Sequence, residues 1–402
     1  MVNSELNLGD KSAFVAIMDR VKLMNITGKA LSGEWGNEDT TGEGTCVLRT
    51  ANFTNEGVFN YDEVVTRKIP SKKGLENKYL RRGDIVIEKS GGSDKWPVGR
   101  VIYFNEEENK YLFNNFTGLL RVQDRKKWNP KYVFYSLYFN YLVGGTRQYE
   151  NKTTGLHNLK TDLYVENFKV KSISKAEQDD IVTKIDNIRH IIDAKNKQIL
   201  MFDELIKARF VEMFGEISTG NYKYNTKKLG DVAKVGSSHR VFTTEFVKNG
   251  IPFYRGTEIG ELANGQIPEE PFCISEEHYE RLVSDDTKPQ VGDLLMPSIC
   301  NKGQVWMVDT EEPFYYKDGR VLLISPNRDL FDCKYLECFM RAKTLMEYPK
   351  LGSGSTFAEF KIFLLKDIDV LIPPLEIQSQ FADFVKQVDK SKFLSNHSLF
   401  LL

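Results

Sequence analysis

Residues 174–215 predict one helix too long to sit inside a single globular domain. Ser174-Lys175-Ala176-Glu177 has the spacing of a capping box, in which the Ser hydroxyl and the Glu carboxylate each satisfy an orphan amide of the first turn. Ile181, Ile185, Ile188, Ile192, Lys195, Ile199, Phe202, Ile206, Arg209 and Met213 follow, alternately four and three apart, which is a heptad seam. Val182, Ile191, Leu205 and Phe210 widen the stripe beyond what a surface helix needs. Gly215, just past the last apolar residue, suits a left-handed stop. At ~1.5 Å per residue the rod is ~50–60 Å long, and a stripe this wide needs a second helix to cover it.

A duplication supplies the second helix. Lys22-Leu23-Met24-Asn25-Ile26 matches Lys228-Leu229-Gly230-Asp231-Val232 at a shift of 206, and Leu48-Arg49-Thr50 matches Tyr254-Arg255-Gly256 at the same shift. Arg82-Gly83-Asp84-Ile85-Val86 pairs with Val291-Gly292-Asp293-Leu294-Leu295, and Lys131-Tyr132-Val133 with Lys334-Tyr335-Leu336. Asn167 to Val170 and Gln178 to Ile181 pair with Asp367 to Val370 and Gln378 to Phe381. Matches in one order, at slowly drifting shifts, indicate a tandem unit of about 200 residues, far longer than a solenoid repeat. The expected organisation is a first domain at 1–173, a long helix at 174–215, a linker at 216–226, a second domain at 227–373 and a second helix at 374–402.

Composition fits two ordinary domains. Lys and Arg number 55 against 56 Asp and Glu, so no global basic field exists and any nucleic-acid surface must be a local face. The five cysteines form no C-x-x-C and no two His stand at metal-ligand spacing, which points to reduced thiols in a cytoplasmic protein and to no metal site. The longest mostly apolar run, Val133 to Val143, is interrupted by Ser136 and Asn140 and is too short to span a bilayer, and no signal peptide opens the chain.

Residues 1–20 read as a short, helical lead-in. From Val21 the text is strand-like, with Cys46-Val47-Leu48, Ile85-Val86-Ile87 and Val98 to Phe104 broken by Gly, Asn and Asp turns. Tyr132 to Val143 predicts a helix on the sheet, Thr153 to Leu159 a polar loop, and Tyr164 to Ser172 a last strand feeding the long helix. The second unit repeats the plan, with Gly352 to Phe357 as its polar loop, a strand from Ile368 to Ile372, and Pro373-Pro374 before the second helix. There Phe381, Val385 and Val388 keep the heptad spacing, but Lys392 and Ser395 follow and the periodicity fades. The counterpart of Gly215 would fall at 415, beyond Leu402. The second helix is thus expected to be truncated, by an early gene end or by a last stretch from another reading frame.

Lys228 to Val232, Ile251 to Gly256, Gly292-Asp293-Leu294-Leu295, Gly354-Ser355-Thr356 and Ile372 to Gln378, each recurring loosely in the first half, resemble the specificity (S) subunits of Type I restriction-modification systems. The resemblance covers essentially the whole chain and lies in order and duplication. It implies an α+β fold of two tandem target-recognition domains, each reading half of a bipartite double-stranded DNA target. Each domain is followed by a helix, and the two helices pack as an antiparallel coiled coil that sets the half-site spacing and docks methyltransferase subunits. The implied chain is non-catalytic and has no cofactor of its own. S-adenosylmethionine, ATP and magnesium belong to the methyltransferase subunits and to a restriction/translocase subunit.

Candidate DNA contacts follow from basic and polar residues around glycines, where backbone can approach phosphate. In the first domain they are Arg49, Lys89, Ser90, Lys95, Trp96 and Arg100; in the second, Arg240, Arg255, Asn301, Lys302 and Gln304. Each alternatively reads as a solvated loop residue, but Arg49 and Arg255 stand out because the repeat keeps both. Thr154, Gly155 and Asn158, with Ser355 and Thr356, either hold phosphate oxygens or cap a turn. Ile185, Ile188, Ile192, Ile199, Phe202 and Ile206 are the candidate partner-binding face.

Two other classes compete. No G-x-x-x-x-G-K-[ST] and no Asn/Asp-Pro-Pro-Phe/Tyr is present, and Asn129-Pro130-Lys131-Tyr132 reads as a helix start. Asp94 with Glu108-Asn109-Lys110 spaces like nuclease carboxylates, yet Glu106 to Lys110 also reads as an exposed hairpin tip. A coiled-coil scaffold without specific DNA binding would not need two duplicated, loop-rich domains. A silent, truncated copy of a specificity gene is a further alternative.

Overall fold

A central strand buried on both faces organises each half of the molecule. The computed structural model describes residues 20–153, 156–283, 288–351 and 358–397. The chain divides into two compact units, Met1–Ile191 and Ile192–Leu402, and the division falls within the long helix.

The first unit runs β1 (Arg20–Lys22), α1 (Met24–Thr27), β2 (Leu31–Ser32), β3 (Asn37–Glu38), β4 (Thr45–Leu48), β5 (Val65–Lys68), β6 (Ile85–Glu88), β7 (Ser90–Gly91), β8 (Val101–Tyr103), β9 (Tyr111–Phe113), β10 (Thr117–Leu120), α2 (Pro130–Leu142), β11 (Glu150–Thr153), β12 (Leu156–Leu159), α3 (Thr161–Asn167), β13 (Lys169–Lys171) and α4 (Lys175–Phe214). Its main sheets have the orders β2-β10-β6-β8 and β3-β5-β4-β9, the second holding a parallel β4–β9 pair. Every residue of β6 is buried, and successive side chains face opposite ways. Ile85, Ile87 and Leu120 join α2 and the start of α4 in one core. Val86 and Leu119 join Leu48 and Phe113 in another.

The second unit repeats this plan with β14 (Gly215–Glu216), β15 (Asn221–Tyr222), β16 (Thr226–Lys228), α5 (Leu229–Val232), β17 (Ala233–Gly236), β18 (Ile251–Tyr254), α6 (Gly256–Ala263), β19 (Phe272–Ile274), α7 (Glu276–Leu282), β20 (Leu294–Pro297), β21 (Trp306–Met307), β22 (Tyr315–Tyr316), β23 (Val321–Pro326), α8 (Cys333–Glu347), α9 (Ile362–Lys366), β24 (Asp369–Leu371) and α10 (Leu375–His397). Its sheets are β17-β23-β20-β21 and β19-β18-β22, with β18 and β22 parallel as β4 and β9 are. Leu294, Met296, Leu322 and Ile324 face the helix-side core, while Leu295, Val321 and Leu323 face the other.

The repeat also preserves buried hydrogen bonds. Gln178, 1% exposed, accepts from the Asn129 amide at 2.8 Å and donates to the Lys127 and Ile173 carbonyls, each at 3.0 Å. Gln378, fully buried, accepts from the Asp332 amide at 3.0 Å and donates to the Leu330 and Pro373 carbonyls at 2.8 and 2.7 Å. Asn129 and Asp332 are the N-caps of α2 and α8, so each glutamine ties a long helix to the cap of a domain helix. The Gly-Asp motif is structural for the same reason. Asp84 takes the Arg81 amide at 2.7 Å and the Arg121 guanidinium at 2.6 Å; Asp293 takes the Gln290 amide at 2.9 Å and Arg328 at 2.7 Å.

The capping box at the start of α4 forms as predicted: the Ser174 amide donates to Glu177 at 2.9 Å and the Glu177 amide to Ser174 Oγ at 3.2 Å. Gly215, at φ +97°, ends the helix. Within the second unit α4 and α10 pack antiparallel. Phe210 and Phe214 lie edge-on to Phe381 at 5.5 and 5.3 Å, Arg209 lies over Phe384, Asp203 pairs with Lys392 at 2.5 Å, and Gln198 meets Ser395 at 3.2 Å. The seam therefore does not fade at Lys392; it continues there with polar partners.

Two local expectations need correction. Tyr164 and Val165, read as strand, are buried on α3, and the strand is only β13. Residues 216–226 are not a plain linker, because β14 and β15 form a hairpin closed by Gly215 opposite Tyr222. A Cβ at Gly215 would lie 2.2 Å from the Asn221 carbonyl oxygen, so only glycine fits this turn. The lead-in at 1–19 lies outside the described residues. No helix among those described is long and apolar enough to cross a membrane.

Candidate nucleic-acid interface

In the first unit the chain leaves β6 at Glu88 and returns at Arg100 after a turn of residues 89–99. Within this turn β7 pairs with β12, placing Ser90 opposite Asn158 and Gly91 opposite His157, and β12 pairs with β11. Turn and hairpin form one three-stranded lobe, which gathers Lys89, Ser90, Lys95, Trp96 and Asn158. Thr154 and Gly155, between β11 and β12, lie outside the described residues. Lys89 is half-buried and donates to Ser32 Oγ at 3.2 Å, and burial holds its ammonium below the usual lysine range.

Arg147 and His157, which sequence reasoning missed, shape this lobe. Arg147 donates to the carbonyls of Asp94 and Lys95 at 3.0 and 3.1 Å. His157, 5% exposed, stands between Glu150, 3.0 Å from Nδ1, and Asp94, 3.7 Å from Nε2. Arg147 follows a Gly144-Gly145 pair, the one sequence sign that a basic residue sits in a tight turn here.

Arg100, predicted as a phosphate contact, is a clasp instead. Its guanidinium binds the buried Glu88 at 2.7 Å and the carbonyls of Phe53 and Thr50 at 3.1 and 3.5 Å. Burial alone would lower its pKa, but hydrogen bonding and attraction from Glu88 raise it. Arg49 sits at the start of a short turn, Thr50–Asn52, where Asn52 accepts its amide at 2.9 Å and its guanidinium donates to the Glu63 carbonyl. Arg255 occupies the same place before α6. Glu258 accepts its amide at 2.8 Å and its guanidinium at 2.5 Å, and the guanidinium lies 4.6 Å from the Phe272 ring centre. Burial works to raise the Glu258 pKa, yet hydrogen bonds from Arg255 hold the carboxyl below its usual range. The repeat keeps these two arginines at a helix-capping position, and the Asn or Glu three residues later is the signal for it.

In the second unit the matching turn is shorter: residues 298–303 between Pro297 and Gln304. Asn301 and Lys302 are exposed, and Gln304 Oε1 accepts the Lys302 amide at 2.9 Å. Strand register places Gln304 where the first unit has Arg100. The Phe360 amide donates to the Ser298 carbonyl at 2.7 Å, as the Leu159 amide does to Lys89 at 2.8 Å. In each unit a residue at or beyond the end of the polar loop thus meets this turn, and Ser355 and Thr356 lie outside the described residues. Arg240 is exposed and pairs with Asp318 at 3.3 Å. Arg320, not singled out in the sequence, lies beside the turn and pairs with Glu359 at 2.7 Å.

The helix face divides. Ile185 packs partly on the first core and Ile206 partly on the second. Ile188 and Ile192 are exposed at 40% and 38%, and Ile199 and Phe202 are half-buried. The nuclease-like spacing does not converge. Glu108 accepts the Arg82 amide before β6, while Asp94 follows β6 near His157, at the other end of the strand.

Residues 221–399 match the family model for the Type I restriction modification DNA specificity domain. The chain is similar in fold to a crystal structure of the S subunit of a Type-I restriction-modification system from M. genitalium, at 13% identity and a TM-score of 0.54, over 94% of this chain and 91% of that one. It is also similar to a structure described as the basis of complex assembly and conformational transition of the type I R-M system, at 16% identity and a TM-score of 0.55, over 94% and 93%. Residues 221–399 therefore carry a Type I restriction modification DNA specificity domain, and the fold follows those two structures along nearly the whole length of the chain.

Proposed function

We propose that each unit reads one half of a bipartite DNA target, and that the chain brings methyltransferase and restriction subunits to that target without catalysing a reaction itself. The duplicated plan carries this reading: two domains with the same central strands, the same glutamine clamp and a polar turn whose first carbonyl accepts a later backbone amide, from Leu159 in one and Phe360 in the other. Two copies of one binding surface on a single chain suit a target with two half-sites. Affinity comes from Lys and Arg on phosphates, and sequence discrimination from polar side chains on base edges. S-adenosylmethionine, ATP and magnesium act on the partner subunits, in the cytoplasm.

The exposed Ile188 and Ile192, with Ile199, form the proposed methyltransferase face of α4. A charge there opposes burial against a partner. Ile199→Asp is expected to reduce co-purification with the methyltransferase subunit, and full assembly of the variant would remove this face from the contact.

Co-purification of the chain with its methyltransferase subunit, followed by sequencing-based methylation mapping, tests the whole reading. A bipartite methylated motif is the expected result. Complex formation without methylation would favour a silent copy, and no association by a folded chain would favour the scaffold.

A further inference from the structure

Of the four tryptophans, Trp128 and Trp306 are buried at 3% and 5% exposure, and Trp35 is half-buried beneath Arg67, 4.3 Å from its ring centre. Trp96 is 51% exposed. It stands on a turn held at several points. The Ser93 amide donates to the Trp96 carbonyl at 2.6 Å, and the Trp96 amide to Ser93 Oγ at 3.1 Å. Arg147 fastens the two preceding carbonyls, and Glu150 accepts the Val98 amide at 2.9 Å just beyond the ring. Pro97 and Val98 are buried. A large apolar ring on a turn fixed on both sides loses little freedom when it meets a partner.

The surroundings indicate the kind of partner. Lys95 lies 5.6 Å from the Trp96 ring centre, Arg147 and Lys89 stand in the same lobe, and Ser90 and Asn158 add polar groups. Asp94 is the exposed acidic neighbour, while Glu150 is buried against His157. An aromatic face flanked by cations is suited to a base with its phosphate. The matching turn of the second unit, residues 298–303, has no aromatic residue. It presents Ile299, Asn301 and Lys302, and the unit's own tryptophan, Trp306, is in the core.

We propose that Trp96 is an aromatic wedge that stacks on a DNA base in the half-site read by the first unit, and that the two half-sites are consequently recognised by different means. This rests on the proposed function and names a specificity-determining residue within it. An inserted or stacked ring senses how readily a base step opens, so it contributes selectivity without hydrogen-bonding a base edge.

The test uses the chain assembled with its methyltransferase subunits, a duplex carrying the mapped motif, and the variants Trp96→Ala and Trp96→Phe. Stacking quenches tryptophan emission, so binding is expected to dim the wild-type complex, and Trp96→Phe is expected to abolish that change while keeping most of the affinity. Trp96→Ala is expected to lose affinity on the order of tenfold to a hundredfold and to relax methylation in one half of the motif alone. Unchanged affinity and motif in Trp96→Ala would overturn the inference. So would weaker assembly with the methyltransferase at unchanged DNA affinity, which would make Trp96 a protein contact. A wild-type complex that binds no specific DNA would defeat the proposed function itself, a failure distinct from these two.

Discussion

Gln178 and Gln378 show how a single buried side chain joins a helix to a domain. Each makes three hydrogen bonds to backbone in a nearly dry site, so truncation leaves several backbone groups unpaired. Gln378→Ala is expected to cost about 2–3 kcal/mol, read as a lower urea midpoint at unchanged slope. A second residue-scale test concerns Asp84, whose side chain is fully buried against Arg121. Arg121→Met would leave that carboxylate without its cation, and a loss of about 3–5 kcal/mol in the same measurement is expected. The repeat made both positions visible in the sequence, since Gln178 matches Gln378 and Gly83-Asp84 matches Gly292-Asp293. Their partners were not visible, because the carbonyls of Lys127 and Leu330 lie about fifty residues from the glutamines and no spacing rule connects them. The same blindness made Arg100 look like a phosphate contact, although Glu88 already occupies its guanidinium.

At the scale of elements, periodicity was legible wherever one long face meets one core. The seam of α4, its capping box and its glycine stop all follow from spacing and end chemistry. The short pieces did not, and α3 shows why: Tyr164 and Val165 read as strand by propensity, yet the helix buries both in the first core. The seam between α4 and α10 also corrects a simple reading of heptads. Lys392 is 19% exposed and pairs with Asp203, while Val385 and Val388 beside it are buried. A partly exposed ion pair contributes little, so Lys392→Leu is expected to change stability by under about 1 kcal/mol. Val385→Asp places an unpaired carboxylate in the seam and is expected to cost more than about 3 kcal/mol. Thermal or urea unfolding of the two variants separates a seam held by packing from one held by charge; equal losses would mean that the ion pair carries the contact.

At the scale of the whole molecule, each unit has its own core: among the described residues, the clusters of the first and of the second are built from different side chains. Each set of candidate contact residues is therefore positioned by its own core. This separation turns the duplication into a prediction about specificity. Asn301→Ala with Lys302→Ala alters two exposed side chains on the short turn of the second unit and touches neither its clamp nor its sheets. In the assembled complex the pair is expected to change the methylated sequence, or the methylation efficiency, of one half-site and to leave the other half intact. Removing the lysine should also make the salt dependence of binding shallower, by about one unit of slope if its ammonium meets a phosphate. Methylation mapping at two salt concentrations reads both effects together. A change confined to slope would make Lys302 a backbone contact and Asn301 a bystander. A change in sequence with the slope unaltered would assign base reading to Asn301. Changes in both half-sites at once would show that the two units do not read independently, and would count against the view that duplication gives this chain two separable recognition surfaces.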